Sequence, residues 1–143
     1  MQIHPNIKSE YGRLRTVMVG IARKMGPKPA IEDCYDARSK ESVELGTYPE
    51  VEDCMVQLNS LVGKLESVGV EVLRPDVLDT TNQVFTRDIG FVIDDQFILP
   101  NVIEDRASEA KAINALLDRI PSANIIMMPS GCYAEGGDVI VHE

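Results

Sequence analysis

At 143 residues and 15.8 kDa the chain is long enough to bury one core, and its 44% hydrophobic and 26% charged content is that of an ordinary globular protein. Fourteen Lys and Arg against twenty-three Asp and Glu give a net charge of -9, a field that repels phosphate backbones and argues against nucleic acid as a partner. No stretch approaches the ~20 apolar residues of a membrane span, and residues 1–9 hold no apolar run behind a basic start, so neither a membrane nor a secretory signal is expected and the cytoplasm is the plain location.

In chain order, residues 14–20 read as a buried strand, with Leu14, Val17, Met18 and Val19 followed by Gly20 at a sharp exit. A long segment, 21–48, is rich in Gly, Pro and charge, and has room for a short helix around 31–42. Residues 50–68 give the clearest helix, because Val51, Cys54, Met55, Leu58, Leu61, Val62, Leu65 and Val68 recur at three- and four-residue steps. Pro49 and the acids Glu50, Glu52 and Asp53 suit its start, and Gly69 its stop. Residues 70–73 then form a strand ended by Pro75. The apolar runs 89–93 and 97–99, separated by Asp94-Asp95-Gln96, predict a hairpin with an acidic turn. A second amphipathic helix is expected over 104–120, with Ala107, Ala110, Ile113, Leu117 and Ile120 on its apolar face and Pro121 beyond. Residues 124–128 and 138–141 complete the strands.

The order is strand, helix, strand, then hairpin, helix, strand, then one further opening strand. Each unit leaves an apolar sheet face that needs neighbours. A single α/β domain over 1–143, with two strand-and-helix units and the first strand of a third, is the expectation, with a strand edge open to a second copy or another chain.

Cys34, Cys54 and Cys132 are odd in number, far apart and without C-x-x-C spacing, which fits free thiols in a reducing compartment. His4 and His142 stand at opposite ends, without metal-ligand spacing. No metal and no cofactor is expected.

Chemistry concentrates in two short motifs. Phe85-Thr86-Arg87-Asp88 opens an apolar run in which alternation over 85–93 would put Asp88 on the face of Gly90 and Val92. Glu135-Gly136-Gly137-Asp138 enters its run through two glycines, which let backbone bend and approach a neighbour closely. It has neither the G-x-G-x-x-G nor the Walker spacing of a phosphate cradle. Alone, Asp88 reads as an internal ion pair to Arg87 or another basic side chain, and the second motif as a turn. Together they offer carboxylates that hold a planar cation along two edges. A phospho-acceptor built on Asp88, Asp94 and Asp95 is disfavoured, because these acids gather round one hairpin rather than at the ends of several parallel strands.

Phe85-Thr86-Arg87-Asp88, Arg106 and Glu135-Gly136-Gly137-Asp138 resemble the N-terminal half of the guanidine-modifying enzymes, a group of amidinotransferases, arginine deiminases and dimethylarginine dimethylaminohydrolases. Residues 10–20, from Glu10-Tyr11-Gly12-Arg13 to Val19-Gly20, are similar to the opening strand of amidinotransferase-like members. The resemblance implies a partial α/β propeller of the pentein type and a small guanidino compound as partner. It implies that Asp88 holds the substrate guanidinium, that Phe85 packs near it, and that Arg106 meets a substrate carboxylate. Glu135 would orient a catalytic histidine or the guanidinium, supported by Gly136, Gly137 and Asp138. Without the resemblance, Arg106 reads as a surface residue paired with Glu109 or Asp105.

The chemistry so implied is covalent. A cysteine thiolate attacks the central guanidinium carbon, a histidine protonates the leaving amine, and the acceptor is an amine in amidinotransfer or water in hydrolysis. In the family both the His and the Cys lie C-terminal to the E-G-G-D motif, whereas Cys132 precedes it and His142 follows too closely. The expectation is therefore the N-terminal fragment of an amidinotransferase-like enzyme, inactive alone. The alternatives are a guanidine hydrolase of the same family, or a non-catalytic module for cationic ligands or assembly.

Overall fold

The computed structural model describes residues 2–34 and 36–142. β1 (Thr16–Met18) is followed by a 3-10 turn, Ile31–Asp33, and then by α1 (Ala37–Glu44), whose first turn is closed by the Asp36 carboxylate accepting from the Ser39 amide at 2.8 Å. α2 (Val51–Ser67) leads into β2 (Glu71–Leu73), which lies parallel to β1 with Thr16 opposite Glu71 and Met18 opposite Leu73. A parallel pair needs a crossover, and α2 is its main element. Gly69, at φ 83°, ends α2 in the left-handed conformation that a side chain would resist. Val51, Cys54, Met55, Leu58, Val62 and Leu65 are half-buried, whereas Val68 is 71% exposed.

The second sheet is mixed. β3 (Phe91–Ile93) and β4 (Gln96–Leu99) form an antiparallel hairpin, turning at Asp94 with φ 50°. β5 (Ile125–Met127) then runs parallel to β4, with Phe97 opposite Ile125. The link between β4 and β5 contains a 3-10 helix, Glu104–Ile113, and the short α3 (Asn114–Leu117). Ile89, Phe97, Ala112, Ile113 and Ile120 make a buried core between this link and the sheet.

Several sequence expectations change. The strand expected over 14–20 is paired only across Thr16–Met18. The helix expected around 31–42 is two pieces, because Asp36 caps a new helix there. The run 85–93 is a strand only from Phe91. Residues 86–89 turn instead, with the Asp88 amide donating to the Phe85 carbonyl at 3.1 Å and the Thr86 hydroxyl donating to the Met18 carbonyl at 3.0 Å. Strand alternation therefore says nothing about where Asp88 points.

The amphipathic helix expected over 104–120 is largely 3-10. Arg106, Glu109 and Ala112 are buried at every third position, as three residues per turn requires, while Ala107 lies exposed. Charged residues thus take the inward face assigned to alanines. The strand expected over 138–141 is absent among the described residues: Gly136–Asp138 is a 3-10 turn, and Val139 is extended without a ladder partner. That leaves two sheets and no opening strand of a third unit among the described residues. No helix there is long and apolar enough to cross a membrane.

Candidate guanidinium site

The two motifs meet at Arg106. Its Nε and Nη2 donate to the two oxygens of Glu109 at 3.0 and 2.8 Å, the paired geometry that a 3-10 helix allows between positions three apart. Nη1 donates to Asp88 Oδ2 at 3.0 Å and lies 3.0 Å from Glu135 Oε1. The side chains of Arg106 and Glu109 are each 7% exposed, Asp88 is 16% exposed and Glu135 33%. The cluster opens to solvent on the side of Glu135.

Burial would favour losing the proton of Arg106, yet its pKa is raised, first by hydrogen bonding to Glu109, then to Asp88, with the charges of Glu109 and Glu135 adding. One arginine faces three acidic side chains among the described residues. Oppositely charged neighbours offset the desolvation of each member, and removing any one leaves the others exposed to that cost.

The glycines hold the second motif against the first. A side chain on Gly136 would run into the Arg87 carbonyl. One on Gly137 would put its Cβ 2.7 Å from Asp88 Oδ1, the same oxygen that accepts the Gly137 amide at 3.0 Å. Asp88 thus spends one oxygen on Arg106 and the other on the glycine turn. The Asp138 amide closes that turn on the Glu135 carbonyl at 2.9 Å, and Asp138 itself is exposed.

Asp88, Arg106 and Glu135 therefore converge. Arg106 is not a surface residue, and its guanidinium lies between the Asp88 and Glu135 carboxylates. Phe85 is 58% exposed and borders a cavity of about 210 Å³ with Met25, Tyr48, Pro49 and Cys54. Burial there raises the Tyr48 pKa, with smaller contributions from Cys34, Asp36 and Cys54. A larger cavity of about 1080 Å³ lies under the N-terminal segment against Met18, Phe91, Phe97 and Ile113, apart from the ion cluster.

Glu109 was visible in the sequence only as a surface partner of Arg106. The R-x-x-E spacing was the available signal, and it needed a three-residue turn to bring both inward. The Cys34 thiol donates to the Ala30 carbonyl at 3.4 Å, Cys54 lies on α2 and Cys132 is exposed. His142 packs edge-on to Tyr11 with ring centroids 6.4 Å apart. Among the described residues no group of His, Cys, Asp and Glu is arranged to hold a metal ion.

No protein-family model matches the chain. It is 30% identical over 138 residues to the uncharacterized protein YkgA of Bacillus subtilis (strain 168), a match covering 95% of this chain and 46% of that protein. Among solved structures it is similar to the inosamine-phosphate amidinotransferase StrB1 of Streptomyces griseus, with a TM-score of 0.62 and 19% identity over 87% of this chain and 43% of that one. It is also similar to SxtG, an amidinotransferase of the saxitoxin biosynthetic pathway of Microseira wollei, with a TM-score of 0.62 and 22% identity over 87% of this chain and 42% of that one. The chain spans about half the length of the curated relative it matches. Its fold is that of part of the amidinotransferases.

Proposed function

We propose that this chain carries the guanidinium-binding carboxylates of an amidinotransferase-like enzyme, acting on arginine or a related guanidino compound. The observation that carries the reading is the cluster itself: Asp88 and Glu135, from motifs 47 residues apart, converge within 3.0 Å of the Arg106 guanidinium while remaining partly open to solvent. The likeness of fold to two amidinotransferases supports it.

The roles follow from the chemistry of a planar cation. Asp88 and Glu135 would fix the plane of a substrate guanidinium and favour its charged form, and Phe85 would pack beside it. Arg106 and Glu109 would hold the two carboxylates in place beneath it. The thiolate that attacks the guanidinium carbon, and the histidine that protonates the departing amine, would come from sequence beyond Glu143 in a longer protein. The chain alone would then bind and not turn over.

The test is an assay of the purified 143-residue chain with arginine as amidino donor and glycine or water as acceptor, beside a titration of the same chain with agmatine. Saturable agmatine binding without citrulline, ornithine or transferred amidino group is the expected result. Turnover by the chain alone would contradict the assignment of the nucleophile, and absence of binding would contradict the site.

A further inference from the structure

Arg87 stands beside Asp88 in sequence and turns away from it. Its Nε donates to the Gly136 carbonyl at 2.8 Å and its Nη2 to the Val139 carbonyl at 2.6 Å. The same guanidinium meets both oxygens of Glu10, Nη2 to Oε1 at 2.7 Å and Nη1 to Oε2 at 3.3 Å. Glu10 is in turn fastened to the far segment: its amide donates to the Val141 carbonyl, and its Oε1 accepts the Val141 amide, both at 3.2 Å. Three stretches distant in sequence, around residues 10, 87 and 136–141, are thus joined through one guanidinium.

The two carbonyls that Arg87 grips lie on either side of the Gly137 amide that Asp88 accepts: Gly136 follows directly on Glu135, and Val139 closes the far end of the same turn. The Arg87 carbonyl is also the atom against which Gly136 closes. Side chain and backbone of one residue therefore fix the height and the tilt of the turn that delivers Glu135 to Arg106. An arginine is suited to this because its planar fork makes four bonds from three nitrogens, to two carbonyls and both oxygens of a carboxylate, where an ammonium has three donors on one atom.

We infer that Arg87 is a positioning residue of the guanidinium site, setting Glu135 and the Gly137 amide against Asp88 and Arg106, with Glu10 locking Arg87 in that orientation. Its consequence for ligand binding rests on the functional reading above; the geometric claim does not. The hydrogen bonds and ion pair of the Arg87 side chain go to Gly136, Val139 and Glu10, outside the cluster. It acts on the turn, and the turn acts on the site.

The experiment is hydrogen exchange followed by NMR on the 143-residue chain, reading the Gly137 amide and the Arg106 Nε proton against the backbone amides of β4. In Arg87→Ala the Gly137 and Arg106 protons should exchange about tenfold faster or more, the factor expected for losing a charge-assisted hydrogen bond, with β4 unchanged. Arg87→Lys should fall between that variant and the wild type. Glu10→Gln, which leaves the bonds to Gly136 and Val139 in place, should give a smaller change of the same sign and carries the test should Arg87→Ala not fold. Unchanged exchange at Gly137 and Arg106, or an acceleration shared equally by β4, would overturn the inference. Agmatine titration of the wild-type chain is read separately: its failure would count against the functional reading and leave the exchange result standing.

Discussion

Arg106 and Arg87 are both gripped by carboxylates, but Arg106 is 7% exposed and faces three of them, whereas Arg87 is 49% exposed and faces Glu10 together with two backbone carbonyls. Water screens the Arg87–Glu10 pair and barely reaches Arg106 and Glu109. The same side chain thus does two kinds of work. Buried among acids, it cancels charge that the fold could not otherwise tolerate. At the surface its ion pair adds little stability, and its value lies in where it holds the backbone.

The sharpest way to break that contrast is to remove each guanidinium in turn. Arg106→Ala leaves Glu109 and Asp88 buried without their partner and should cost about 3–5 kcal/mol, read as a fall in the urea midpoint. Arg87→Ala should cost less than half of that. Equal losses would show that burial does not separate the two sites.

Next in size is Asp88→Asn, which keeps an acceptor for Gly137 and gives up the charge toward Arg106. A loss of about 1.5–3 kcal/mol is expected by denaturation, together with loss of agmatine binding. The ion pair with Arg106 makes the substitution costly to the fold as well as to binding. Gly136→Ala should follow at about 1–3 kcal/mol, because its new methyl meets the Arg87 carbonyl, a backbone atom with little room to retreat.

The smallest effect is one of pH. The Arg87 hydrogen bond, then the Val141 amide, hold the Glu10 carboxyl below its ordinary pKa. A carboxylate with a depressed folded-state pKa stabilises fully above its unfolded value, about 4.3, and loses that contribution as pH falls through the lower folded value. Glu10→Gln should therefore be slightly less stable than wild type at pH 7 and equal to it in strong acid. A difference that does not shrink as the pH falls into strong acid would mean that the clamp does not titrate through Glu10.

What the sequence could show divides along the same line. The paired motifs, Phe85 to Asp88 and Glu135 to Asp138, were legible as acids that need a cation, and the helix over 50–68 was legible from its apolar period. The cation itself was not. Finding Arg106 and Glu109 inside required a turn of three residues, and apolar periodicity pointed to Ala107 and Ala110 instead, because a period of 3.6 was assumed. The clamp was hidden for another reason: Glu10 and Arg87 lie 77 residues apart, and nothing in either motif says that the two charges meet. The strand over 138–141 fails because an apolar run becomes a strand only where a partner continues a ladder; the segment at Glu10 meets it at Val141, and no ladder forms there among the described residues.

The most direct test is an NMR titration of the 143-residue chain with agmatine, following the Arg106 Nε and Gly137 amide resonances, with putrescine as a dication of similar reach that lacks the guanidinium. Saturable shifts at both positions with agmatine, weak or absent with putrescine and lost in Asp88→Asn, are expected of a guanidinium site. Resonances that ignore agmatine, or respond equally to putrescine, would mean that the cluster serves the fold alone.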